Sequence, residues 1–260
     1  MNLTDSVILK FQKGGSILFE DLCAIKSHTL GEIVDIGYDV FRNYIKIILM
    51  EKPIIEEENK TELSNVIEEL STFQYFLMTT QIDAEINTTA RDAFKFFIGE
   101  NVNFSIDPSF IIIGDITENR KMDEETFYEF RRVLKRLYFI ELEQDEIIIN
   151  KDDSPHLKKL KKQMIKNRER VAKAKAKNNK NSGDNIELSD LIGSITFGGC
   201  NLNMENVWNI TYYSFRDQLK RMGWHEKFDI NNRMAMAGAK LKKSQLNHWI
   251  RNIANANDDK

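Results

Sequence analysis

Hydrophobic positions along most of this chain recur at spacings of three and four, the period that lines side chains along one face of a helix. Leu30, Val34, Gly37, Phe41, Ile45 and Ile48 form one such run and predict an amphipathic helix from Thr29 to about Met50. Thr29 stands where a helix N-cap belongs, and Glu32, three residues on, can reach back to the cap amide. Pro53 and the acids Glu56 to Glu58 end that helix in an exposed loop. Leu63, Val66, Ile67, Leu70, Phe73 and Leu77 predict a second helix from about Glu62 to Met78, and Ala93, Phe94 and Phe97 a third from about Thr89 to Ile98. Asp123, Glu124 and Glu125 open a fourth through Phe127, Phe130, Val133, Leu134 and Leu137, with acids at the positive end of the helix dipole. Between these lie β-type fragments. Val7–Phe11 and Ile17–Phe19 flank a predicted hairpin turn at Lys13-Gly14-Gly15-Ser16, Phe104–Ile106 and Phe110–Ile113 flank Asp107-Pro108, and Ile147–Ile149 reads as one more strand.

The pattern changes after Ser154-Pro155, an N-cap followed by proline at the first helical position. Leu157, Leu160 and Met164 share one side of the helix it opens, which then runs short of apolar residues. Ala172 to Lys177 favours helix but has nothing to bury, and Lys177 to Asn185 has no apolar residue and reads as a flexible linker. Beyond the linker, Leu188, Leu191, Ile192 and Ile195 predict a short helix that Gly198-Gly199 ends. Trp208, Tyr212, Phe215, Leu219 and Met222 then form an apolar seam with Arg216, Lys220 and Arg221 off it, and Asp217 can pair with Arg221 one turn away. Gly223-Trp224 predicts a break or a bend. Ile230 to Gly238 is rich in methionine and small residues, and a last helix carries Leu246, Trp249, Ile250 and Ile253. The fold class expected is mainly α: an N-terminal α+β module with short strands (1–153), a basic helix and linker (154–185), and a small helical module (186–260).

Composition sharpens this. Among 260 residues there are only 3 Pro and 12 Gly, too few for an all-β sandwich or barrel with a turn every few residues, while 42% hydrophobic residues suffice for a core. The net charge of −3 is a cancellation. Residues 158–180 hold eleven basic side chains against one acid, Glu169, so the rest of the chain carries −13. Lys158, Lys162, Lys166, Arg168, Arg170 and Lys173 typify this basic tether. Such a segment can bind phosphates in a salt-dependent way. No aromatic residue lies between Leu157 and Asn185 to stack on bases, so the tether is read as a solubilising spacer rather than a nucleic-acid site.

Catalytic and metal chemistry is not signalled. Gly14-Gly15 and Gly198-Gly199 lack the spacing of a phosphate loop. His28, His156, His225 and His248 are scattered, and His225-Glu226 lacks a second histidine at position 229, where Asp229 stands. Cys200 has no nucleophile signature around it, and with Cys23 so distant the two read as separate thiols in a reducing cytoplasm. The expectation is no enzyme, no metal and no cofactor. The N-terminus has no secretory pattern, and apolar stretches such as Tyr44 to Met50 fall far short of a membrane span, so no membrane partner is expected. What stands out is the C-terminal aromatic content. A module of this size needs Trp208, Tyr212 and Phe215 for a core, yet three Trp with Met222, Met234 and Met236 exceed what three helices bury. Trp208, Tyr212, Phe215, Trp224 and Trp249 are therefore candidate partner-binding residues.

The run from Asn206 to Arg221, with Phe228-Asp-Ile-Asn231, Met236-Ala-Gly-Ala239 and the helix opening Thr29-Leu-Gly-Glu-Ile-Val-Asp-Ile-Gly-Tyr38, resembles tail assembly chaperones of phages from Gram-positive hosts. The resemblance implies a non-enzymatic protein of the bacterial host cytoplasm. Its partners would be the long helical tape-measure protein and tail-tube subunits, with self-association a further expectation. Two readings stand beside it: a nucleic-acid-associated phage or mobile-element protein using residues 158–180, and a structural virion component.

Overall fold

The computed structural model describes residues 5–53, 62–115, 120–140, 186–198 and 201–240, together with Ser154, single positions between 156 and 170, and Ile250. The expected strand at 147–149, the linker from 177 to 185, the last helix but for Ile250, and Cys200 lie outside the described residues. So do Lys158, Lys162, Lys166, Arg168 and Lys173 of the tether. His156, Lys159 and Arg170, which are described, are helical and exposed.

The N-terminal body is mainly helical with two small antiparallel sheets. Helix α1 (Asp5–Lys13) comes first, and the hairpin of β1 (Ile17–Phe19) and β2 (Cys23–Ile25) follows, Ile17 opposite Ile25. The fragment 7–11 is thus helix rather than strand. Its branched residues favour strand locally, but as a helix it buries Phe11 against Tyr213, 5.6 Å between ring centroids, with Val7 and Ile8 also on the core. The hairpin turn falls at residues 20–22, where Glu20 and Asp21 both adopt positive φ.

The next helical stretch is divided. Thr29 caps α2 (Leu30–Ile36) in a complete capping box with Glu32, and α3 (Tyr38–Ile48) restarts after Gly37. Gly37 has φ +92°, which a side chain would strain, so the glycine breaks the apolar stripe it belongs to by spacing. α4 (Glu62–Glu69) and α5 (Thr72–Ile82) likewise separate where Ser71 and Gln74 form a second capping box, and Asp83 caps α6 (Ala84–Ile98). A three-stranded antiparallel sheet follows: β3 (Val102–Ser105), β4 (Phe110–Ile113) and β5 (Lys121–Met122), with Phe104 opposite Ile111. The Asp107–Pro108 peptide in the β3–β4 turn is cis. Asp123 caps α7 (Glu124–Leu137) through the Thr126 amide.

The core of this body is built from phenylalanine. Phe73 and Phe76 of α5 meet Phe127 of α7 at 5.1 Å, Phe94 stacks on Phe130 at 5.4 Å, and Phe19 meets Phe130 edge-on. Among the described residues Arg131 is the one large cationic side chain taken inside: 1% exposed, it donates to the Leu49 carbonyl, pairs with Glu51, and lies over the Phe127 and Tyr128 rings. Arg120 forks onto Glu100 and the Leu22 carbonyl, which fastens the first hairpin to the second sheet.

Residues 186–240 form a C-terminal helical unit. Helix α8 (Leu188–Phe197) ends at Gly198, a 3-10 turn spans Val207–Asn209, and α9 (Tyr212–Met236) runs for 25 residues. α9 continues through Gly223-Trp224, where a break or a bend is expected from the sequence. Gly223 keeps a helical backbone and costs propensity without ending the helix, which stops before Gly238 at φ +88°. The Arg221–Asp217 pair forms as spaced, at 2.9 Å.

Candidate interaction surface

The C-terminal unit does not stand apart from the N-terminal body. A single cluster of buried residues runs from Phe11 to Phe215 and includes Ile192, Ile195, Val207, Tyr212 and Tyr213 with Phe41, Leu137 and Tyr138. Tyr212 lies 5.6 Å from Phe41 and 5.8 Å from Tyr138, ring to ring, and Phe139 lies 4.9 Å from Tyr213.

At the edge of this shared core, two helix starts face each other. Thr29 caps α2 and Thr211 caps α9, and the two cap residues pair in an antiparallel bridge. The Leu30 amide donates to the Ile210 carbonyl and the Tyr212 amide to the His28 carbonyl, each at 2.9 Å. Two orphan N-terminal amides are thereby satisfied by a segment some 180 residues away in sequence. On one flank Gly31 abuts Trp208: a β-carbon there would lie 3.1 Å from the Trp208 carbonyl. On the other, the Ser214 hydroxyl donates to the Gln12 carbonyl at the end of α1. We call this arrangement the clasp.

His28 sits beneath the clasp, 7% exposed and stacked on Phe96 with centroids 3.8 Å apart. Its Nε2 is 2.9 Å from the Phe96 carbonyl oxygen and its Nδ1 is 3.3 Å from Glu32 Oε2. Burial holds the imidazole below its ordinary range, against the Phe96 carbonyl and Glu32, which raise it. For Glu32 burial raises the carboxyl, but the Thr29 amide and His28 outweigh it and hold it lowered. Burial pushes Tyr212 and Tyr213 up to about 12 and the Cys23 thiol up to about 12, so Cys23 stays protonated and inert at neutral pH.

Four of the five candidate partner-binding residues lie among the described residues. Tyr212 and Phe215 are buried in the shared core, which leaves them no face for another protein. Trp208 is half-buried against α2 and donates from its indole to the Met204 carbonyl at 2.7 Å. Trp224 is half-buried with the Lys220 ammonium 5.4 Å from its ring, and Trp249 lies outside the described residues. The seam therefore attaches the unit to its own chain. The exposed apolar side chains of the unit are others: Phe197 at 95% and Met236 at 88% exposure, with Ile186, Met204, Ile230 and Met234. These two are the most exposed large hydrophobic side chains among the described residues. Sequence reasoning passed over Phe197, although its position beside the Gly198-Gly199 stop, off the α8 stripe, was a readable sign.

Among the described residues no group of His, Cys, Asp and Glu could hold a metal ion, and no helix is long and apolar enough to cross a membrane. Between α3 and α6 lies a shallow surface groove of about 810 Å³, lined by Asp39, Arg42, Lys46, Tyr44 and Asp92.

A mainly α protein carrying a docked C-terminal helical unit is the class that this geometry defines. Residues 176–254, under a third of the chain, match the family described as YomV second domain, a phage-derived family of Bacillus prophage origin. The match supports a phage protein. No curated protein and no solved structure matches the chain.

Proposed function

We propose that this is a non-enzymatic assembly protein of a phage, acting in the host cytoplasm as a tail assembly chaperone that binds the tape-measure protein and recruits tail-tube subunits. The observation that carries the reading is the division of apolar residues within the C-terminal unit. Its buried aromatics fasten it to the body, while Phe197, Met204, Met234 and Met236 are left exposed on the segment with phage-family similarity. Exposed aromatic and methionine side chains suit a client presenting long apolar helices, because thioethers repack against irregular surfaces at little cost. Assembly by binding needs neither a cofactor nor a reactive side chain.

Deletion of residues 186–260 is a poor test, because it also removes Tyr212 and Phe215 from the core. Surface substitution is cleaner. The double variant Phe197→Glu, Met236→Glu is expected to keep the wild-type melting temperature, since neither side chain is buried. It is also expected to lose most of its capture of co-expressed tape-measure protein in a pull-down. Undiminished capture of tape-measure and tube proteins by this variant contradicts the proposed face.

A further inference from the structure

Both ring nitrogens of His28 face oxygen. A carbonyl oxygen only accepts, so the neutral ring keeps its proton on Nε2 to donate to Phe96 and turns a bare Nδ1 toward Glu32 Oε2. That carboxylate oxygen is already committed: it accepts from the Thr29 amide at 2.8 Å and the Thr29 hydroxyl at 3.3 Å, closing the α2 capping box. Thr29 in turn is the residue bridged to Thr211, and the His28 carbonyl holds the first amide of α9. One oxygen of Glu32 is thus shared between a cap that shapes the clasp and a ring nitrogen that can gain a proton.

We propose that His28 is a proton-operated latch on the C-terminal unit: a proton on Nδ1 draws the Glu32 carboxylate out of the Thr29 capping box and loosens the Thr29–Thr211 bridge. Among the described residues, the charged and titratable groups facing His28 are few. Glu32 approaches from α2, Lys26 from the strand-exit segment, and Tyr138 from the end of α7; α6 presents the neutral Phe96 and α9 the Tyr212 main chain. Lys26 opposes the added proton, and Tyr138, buried and raised well above its ordinary value, stays neutral in acid.

The sign follows from burial. The docked ring takes up a proton less readily than the released one, so docking is at full strength above the ordinary histidine value of 6.5 and weakens as pH falls below it. Glu32, held below its ordinary 4.5, stays charged through this window, so His28 acts alone until pH falls further. Each unit by which docking lowers the imidazole converts to about a tenfold loss of the clasped population.

Nuclear magnetic resonance of the full chain between pH 7.5 and 5 tests this. The His28 ring is followed together with the exchange protection of the Leu30 and Tyr212 amides, each referenced to its intrinsic rate at that pH. The two protections are expected to fall with the His28 midpoint, by about tenfold per unit of imidazole shift, while the amides pairing β3 with β4 hold. His28→Gln keeps a donor for Phe96 without titrating, and its clasp protection is expected to be flat across the range. Glu32→Gln keeps the cap acceptor without the charge and is expected to uncouple the clasp from His28, which carries the test should His28→Gln fail to fold. The latch is overturned if His28 titrates while Leu30 and Tyr212 stay protected, or if either variant shows the wild-type loss.

Discussion

Phe215→Ala is expected to lower the unfolding free energy of the whole chain by about 3–5 kcal/mol, the range for deleting a fully buried aromatic ring. Phe215 has no exposed surface and belongs to the same buried cluster as Phe11, Phe41 and Tyr138. If the C-terminal unit were an appendage, the loss would be confined to it, and the N-terminal helices would unfold at their old midpoint. With one shared core the body loses a packing partner as well. Urea unfolding followed by far-ultraviolet circular dichroism and by tryptophan emission is expected to give two coincident curves in both proteins, with the variant's midpoint lower. Separate transitions in which the larger, helix-dominated step keeps the wild-type midpoint would show that the two parts are energetically independent.

Gly31→Val attacks the same contact from its polar edge. A β-carbon at position 31 lies 3.1 Å from the Trp208 carbonyl and 3.6 Å from the Trp208 β-carbon, and valine adds two γ-carbons in that space. Crowding of this kind costs about 1–3 kcal/mol. It falls on a backbone oxygen of the 3-10 turn and not on a side chain that can swing aside. Gly31→Ala is the control that separates crowding from helix propensity, because alanine gains about 0.8–1 kcal/mol inside a helix and so offsets much of the tighter contact. The expected order of stability is wild type close to alanine, with valine well below both. Trp208 emission, read in a background carrying Trp224→Phe and Trp249→Phe, is expected to shift to the red only in the valine variant, as the indole leaves its place beside α2. Unchanged emission and midpoint in Gly31→Val would mean that the unit does not rest on α2 in solution.

Local chemistry was largely legible in the sequence. Thr29 with Glu32, the acids from Asp123, the Gly198 stop and the Asp217–Arg221 pair each depend on neighbours within four positions, and each forms as spaced. The structure departs from the local pattern where a distant contact outweighs it. Val7 to Phe11 has strand-like residues, yet the segment is helical and sets Phe11 against Tyr213. Gly37 fits an apolar stripe by spacing, and its backbone φ breaks it. Gly223 fits a helix stop by composition, and the helix continues because nothing there demands positive φ. The seam through Tyr212 and Phe215 could be read as apolar on one face, but periodicity does not say what covers that face. The cover is Phe41 and Tyr138, from a part of the chain that no local signal links to it. The clasp was invisible for the same reason: a bridge between Thr29 and Thr211 leaves no mark in either segment.

The central claim is that the C-terminal unit is held by the N-terminal body and not merely tethered to it. Cutting the tether tests this most directly. A specific protease site placed between residues 178 and 184, in a stretch with no apolar side chain, lets the folded chain be cleaved without touching the shared core. The two fragments are expected to co-elute from a size-exclusion column at low-micromolar concentration as one species of the uncut size. Elution as two separate, folded fragments would contradict the claim.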